Sequence, residues 1–211
     1  MKSPILTILL LAPALAFGQK FQDITAKGSP VSLSVKVDST DNQPYVVIHN
    51  NSIKGVLALS AVVKTTDASG QVVPGFTRQD YVFKSGVIAS QGDRQIAPLA
   101  FEPETKIDHA EGVVLFVQFE DGSTWGDLEA GKQIFAARSQ RLAFLKHLVE
   151  VYYEGGETSF TAALNEPTLG RPESSVAGCL KVDAEAEKIT PVELAKKRLA
   201  DALEWRALGI F

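Results

Sequence analysis

Few residues in this chain could carry chemistry. There are three histidines, His49, His109 and His147, and one cysteine, Cys179. No His-Glu-x-x-His pair is present, so the zinc-protease arrangement of two ligands and a base on one helix is missing. No Gly-x-Ser-x-Gly elbow occurs, nor a Gly-rich phosphate loop, nor a Gly-x-Gly-x-x-Gly turn. His147 precedes Glu150 and Glu154 at helical spacing, and three such groups could ligate a metal. That face is the polar one, opposite Leu145 and Val149. Water competes for each group there, which favours a solvated helix surface. His49 stands before the corner Asn50-Asn51-Ser52 and reads as a turn-capping or core-edge histidine. The corner also fits the glycosylation pattern, a three-residue match that often arises by chance.

Asp183, Glu185 and Glu187 alternate with apolar residues. Calcium wants about six to eight oxygens in a compact loop, and this segment lacks the glycine turn that such a loop needs. Trp125, in the run 121–127, could stack on a sugar or peptide, but a tryptophan after a hairpin turn is favoured as a lid on the core. Cys179 has three readings: an inert buried thiol, an intermolecular bridge, or a nucleophile. The first is favoured, because Gly178 and Leu180 supply no cation or base to activate it. No catalytic, cofactor-binding or metal residue is assigned, and no cofactor is expected.

The elements that must position these residues change in type near residue 129. Val31, Leu33, Val35 and Val37 alternate with Ser32, Ser34, Lys36 and Asp38. That is the period of a half-buried strand. Further strand patterns run over 45–49, 53–63, 71–73, 81–83, 96–101 and 113–120. Pro74-Gly75 separates the third from the fourth, and Pro98 favours an edge for the fifth. Asp121-Gly122 signals a hairpin. Turns recur at intervals of about 8–12 residues, as in sandwiches. The strands at 56–63 and 113–119 are apolar on both faces, so something must cover the second face. In the latter, Val113, Leu115, Val117 and Phe119 are expected on one face and Val114 and Phe116 on the other.

Beyond Leu128 the period is helical. A helix over 132–153 would align Ile134, Leu142, Leu145, Val149 and Tyr152, with Phe135, Leu148 and Tyr153 beside them. Gly155-Gly156 should stop it, and a short helix is expected over 159–164. Its stripe needs a partner, and the outer face of the sheet holding 56–63 and 113–119 is the expected one. The stretch 165–186 is rich in Pro, Gly, Ser and acidic residues and reads as a long loop. Thr190, Pro191 and Glu193 form a capping box that opens a last helix. Its stripe is Val192, Ala195, Leu199, Ala202 and Leu203, and Glu193 and Lys197 are set for an i,i+4 pair.

The N-terminus reads as a secretory signal peptide over 1–16. Lys2 supplies charge, 5–12 is apolar, and Ala14-Leu15-Ala16 is a small-x-small cleavage pattern. Cleavage is expected before Phe17 or, as the fallback, before Gln19. The run is shorter than the about 20 apolar residues that span a bilayer, and no later stretch reads as a transmembrane segment. The net charge of −4 argues against nucleic acid as a partner. Hydrophobic residues at 45% and charged residues at 22% suffice for a buried core. The single cysteine rules out an intramolecular disulfide, so the core must hold without staples.

Val47-Ile48-His49-Asn50-Asn51-Ser52-Ile53-Lys54 resembles the V-x-N-x-S-x-K corner of exported bacterial immunoglobulin-like domains of the FxLyD type. Asp67-Ala68-Ser69-Gly70-Gln71-Val72-Val73 is similar to their D-x-x-G-x-V-V hairpin. Ser90-Gln91-Gly92-Asp93 stands where they often carry Pro-Gly-Glu, without that proline. The likeness covers residues 46–93. It implies a sandwich in an envelope protein and no assigned catalysis.

The expected fold is α+β: an antiparallel immunoglobulin-like β-sandwich over 17–128, followed by a helical segment over 129–211. The expected function is an exported, periplasmic or secreted, non-catalytic module that binds a protein or envelope component. The alternatives are an enzyme with an unrecognised carboxylate-based site and a purely structural envelope protein. A convergent pocket of titratable groups would favour the enzyme; an apolar patch or open strand edge would favour the binding module.

Overall fold

The computed structural model describes residues 21–37, 44–82, 86–98, 107–166 and 170–210. The expected signal peptide lies outside the described residues. Among the described residues, eight strands form two sheets, and three helices follow. The strands are β1 (Phe21–Asp23), β2 (Val31–Val37), β3 (Pro44–Asn50), β4 (Val56–Asp67), β5 (Val72–Asp80), β6 (Asp93–Pro98), β7 (Ile107–Phe119) and β8 (Thr124–Gly126). The helices are α1 (Leu128–Leu164), α2 (Arg171–Glu187) and α3 (Pro191–Ala207).

One sheet has the order β2-β3-β6. The other runs β1-β7-β4-β5, with β8 also paired to β7. All pairings are antiparallel except β1 with β7, which is parallel. The alternating apolar residues of the two sheets meet between them. Val31, Leu33, Val46 and Ile48 from one sheet share a core with Leu57, Leu59, Ala61, Val114 and Val117 from the other. The architecture is thus the α+β sandwich-plus-helices expected from the change of period.

The two long apolar strands are covered on their second face by α1. Ala58 and Phe116 point away from the inter-sheet core and pack with Ile134, flanked by Ala130 and Phe135. Gly131 allows the close approach, since a Cβ there would lie 2.8 Å from the Phe116 ring. Phe135 meets that ring edge-on at 5.7 Å. Leu145 is fully buried.

Several expectations need correction. The β4–β7 ladder shifts register between Ser60 and Ala61, whose partners are Phe116 and Val114. Leu115 is the extra residue of a bulge, so the strict two-residue period fails there. Val114 therefore joins Val117 and Phe119 in the inter-sheet core, while Phe116 faces the helix. Ile53 is not strand: it is 88% exposed, ahead of β4. Pro74-Gly75 does not divide two strands, because β5 runs through it. Backbone bonds from Asp67 to Gln71 and from Tyr81 to Leu57 fix the alternation of the β4–β5 ladder. That phase turns Pro74 toward the open edge, where a missing N–H costs no ladder bond. Tyr81 and Val82 lie beyond the strand, and Phe83 is outside the described residues. Of 96–101, residues 96–98 belong to β6, which starts earlier, at Asp93, and residues 99–101 are outside the described residues.

The helical half differs most at 165–186. The expected long loop contains α2. Pro172 stands in its first turn with Glu173, both favourable there. Val176, Ala177, Leu180 and Ala184 recur at helical spacing and are buried. The stripe is built largely from small residues, which the loop-like composition masked. Gly156 does break α1, at φ 70° and ψ −162°, a conformation that favours glycine. Thr190 and Glu193 form the capping box that opens α3. Glu193 is occupied there, and Lys197 pairs instead with Glu187 of α2 at 2.9 Å. Tyr153 and Leu203 are exposed rather than part of the stripes.

Candidate functional site

The fold disperses most of the residues singled out by type. His109 contacts Glu111 at 3.3 Å on β7. His147, Glu150 and Glu154 lie exposed along α1. Trp125 is half-buried against the main core and pairs across to Val117, as a lid does. Asp183 and Glu187 lie on α2 and hold α3 through Arg198 and Lys197. Cys179 is half-buried in a narrow cleft lined by Asp80, Arg141, Leu145, Ser175, Val176 and Arg198. Its neighbours in sequence offered no cation, but its neighbours in space include two arginines. Among the described residues, no group of three His, Cys, Asp or Glu side chains converges as metal ligands would. No helix among them is long and apolar enough to cross a membrane.

Two polar clusters were not anticipated. The first centres on Arg138, wholly buried on α1. Its Nε donates to both Asp80 oxygens at 3.0 and 3.1 Å. Its Nη1 donates to Gln118 Oε1 and to the carbonyl of Ile210, each at 2.6 Å. Arg141 reaches the same carboxylate at 3.1 Å. The end of β5, the end of β7, α1 and the C-terminal turn thus meet on one guanidinium. The available signal was an arginine at i+4 between Ile134 and Leu142, inside an apolar stripe.

The second cluster crosses the three-stranded sheet on its outer face. Ser34 on β2, His49 on β3 and Asp93 on β6 are joined in that order. The Ser34 hydroxyl bonds His49 Nε2, and His49 Nδ1 bonds Asp93 Oδ1. Lys36 Nζ holds the other Asp93 oxygen at 2.6 Å. The Lys36 ammonium, and after it the His49 ring, keep the Asp93 carboxyl below the usual carboxylate range. His49 is therefore not simply a turn cap. Asn50 caps the adjacent corner, donating to the carbonyls of Lys54, Ile88 and Ala89.

The most distinctive surface is the β4–β5 hairpin. Asp67 builds its turn, accepting from the N–H groups of Ser69 and Gln71 at 2.8 and 2.9 Å. The same carboxylate accepts from the Ser69 hydroxyl, and these bonds lower its pKa, the Ser69 hydroxyl first. Beyond the turn, β5 is the terminal strand of its sheet. Phe76 is 63% exposed, Val72 55% and Val73 50%. Val72 and Phe76 lie on one face of the strand and Val73 on the other. The ladder phase directs the backbone N–H groups of Val72, Phe76 and Arg78 away from β4. The guanidinium of Arg78 lies 5.8 Å from the Phe76 ring centroid.

No protein family, curated protein or solved structure matches the chain.

Proposed function

We propose that this protein is an exported module that binds a protein partner by taking an extended segment of it along the edge of β5 that no described strand pairs. The observation that carries the reading is the coincidence, on one terminal strand, of outward backbone donors with apolar side chains on both faces. A flat partner would cover only one face. An added strand covers both, with its backbone bonds giving affinity and its alternate side chains giving selectivity. Pro74 supplies no N–H, so pairing is concentrated on Phe76 and Arg78, and the segment recognised is short. Export rests on the signal peptide pattern at 1–16. The resemblance of 46–93 to exported immunoglobulin-like domains supports the same compartment.

The test is site-specific photo-crosslinking in a bacterial host that exports the full-length protein. A photoreactive residue at position 76 should capture one envelope protein through an extended segment with alternate apolar residues. The same residue at 53, an isolated exposed apolar site, should not. Phe76→Asp should abolish the capture, and the recovered chain should begin at Phe17 or Gln19. Equal capture at 53 and 76, or capture unaffected by Phe76→Asp, rejects the edge as the binding surface. A retained Met1 rejects export.

A further inference from the structure

The row on the other sheet supports a chemical reading that goes beyond binding. Ser34, His49 and Asp93 come from three adjacent strands. His49 lies opposite both Ser32 and Asp93 in the ladders, and Ser34 is its diagonal neighbour. Strand alternation puts Ser32, Ser34 and Lys36 on the same face. The bonds run in one direction. The carboxylate of Asp93 accepts from His49 Nδ1–H, and in the neutral ring that tautomer leaves the Nε2 lone pair to accept from the Ser34 hydroxyl. Lys36 occupies the second Asp93 oxygen and keeps the carboxylate ionised and in place. This is the connectivity of nucleophile, base and orienting acid, which is recognised by roles and geometry rather than by chain order. The side chains of His49 and Asp93 are 26% and 45% exposed, so the row is open to solvent along the sheet face.

We propose that Ser34 is an activated nucleophile and that the row Ser34–His49–Asp93 transfers acyl groups from small, unhindered esters with good leaving groups. In the first step Ser34 Oγ bonds the acyl carbon while His49 Nε2 takes the hydroxyl proton. The ester C–O bond breaks, and His49 returns that proton to the departing alcohol. Water then bonds the acyl carbon of the acyl-serine and gives one proton to His49; the bond from that carbon to Ser34 Oγ breaks, and His49 passes the proton to the released Oγ. The products are the free acid and the alcohol. The open position selects the substrate class, because an exposed row acts on acyl groups presented from solvent.

A purely structural row would tie three strands together without reacting, and the test separates the two roles. The full mature chain is treated with an alkyl fluorophosphonate and, separately, with p-nitrophenyl acetate. The fluorophosphonate should attach to Ser34, identified by peptide mass spectrometry, and the ester should be hydrolysed with turnover. Ser34→Ala should remove both. His49→Asn should slow labelling by about tenfold or more, the loss of a general base. Ser32→Ala, one pleat away, should change neither. Wild-type protein unfolded in urea should lose the labelling. Absence of label on Ser34 in the folded wild type overturns the proposal without any variant. So does label on Ser34 that persists unchanged in His49→Asn or in urea.

Discussion

The Arg138 cluster and the Ser34–His49–Asp93 row use similar groups in opposite surroundings. Arg138 is wholly buried and Asp80 is 7% exposed, whereas Asp93 and Lys36 have side chains 45% and 58% exposed. Inside, each charge has lost its water, so hydrogen-bond partners must replace it, and four segments converge to do so. Outside, water supplies what the protein does not, and the groups are free to meet another molecule. The difference teaches where stability and chemistry sit in this chain. The buried cluster determines whether the helices and the sheets form one unit. The exposed row contributes little to that and keeps its reactive atoms accessible.

The largest expected effect comes from cutting the buried cluster. Arg138→Met removes the buried cation that joins Asp80, Gln118 and Ile210, leaving Gln118 Oε1 without that donor and Asp80 with Arg141 as its remaining arginine. Breaking a buried pair in this way costs about 3–5 kcal/mol. Urea unfolding of the mature chain should show that loss. Adding Asp80→Leu to Arg138→Met should recover part of it, because two apolar groups need no partners. A loss below about 1 kcal/mol would remove the cluster's standing as the joint between sheets and helices, since it would match an ordinary surface change.

A smaller loss is expected at the apolar contact beside it. Leu145 is fully buried and shares the Cys179 cleft with Asp80, Val176 and Arg198. Leu145→Ala should destabilise by about 2–5 kcal/mol through lost burial and a residual cavity. His147, two residues along and exposed, gives the matched control. His147→Ala should stay within about 0.5 kcal/mol. If the two variants unfolded at the same denaturant concentration, α1 would not be docked as described.

The comparison also shows what the sequence could reveal. Regular elements were legible wherever one period held. The alternation at 31–37, the doubly apolar strands and the Thr190–Glu193 box all follow from local spacing. The bulge at Leu115 was not legible, because a single inserted residue changes the faces without changing composition. The helix at Arg171–Glu187 was hidden by its small residues, Ala177 and Ala184 among them, which bury well but signal weakly. The polar clusters were harder still. Ser34 and His49 are 15 residues apart, and His49 and Asp93 are 44 apart. Only strand order and register bring them together, and no short motif encodes either. Arg138 did leave a trace, as a charge at i+4 between Ile134 and Leu142 inside the stripe. Phe76 left little trace, because an exposed phenylalanine in a strand looks in sequence like a buried one.

The smallest effect in stability should come from the exposed row, and its pH dependence shows why. In the folded protein the Asp93 carboxyl is held below the usual carboxylate range, by Lys36 first and then by His49. A depressed folded pKa means that the ionised form binds its partners better than the protonated form does. The stabilisation is therefore present above the unfolded pKa, near about 4 for an aspartate, and is lost as pH falls through the folded value. Asp93→Asn removes that dependence. At neutral pH solvent screens an exposed pair of this kind, so the midpoint of unfolding should move little. Below about pH 4 the wild type should lose its advantage, and the two stability curves should converge. Thermal unfolding of both proteins from neutral pH down to the acid limit of folding checks this. An Asp93→Asn loss at neutral pH as large as that of Arg138→Met would mean the row is a structural tie like the buried cluster. Parallel curves through the acid range would mean that Lys36 and His49 do not hold the carboxylate in solution.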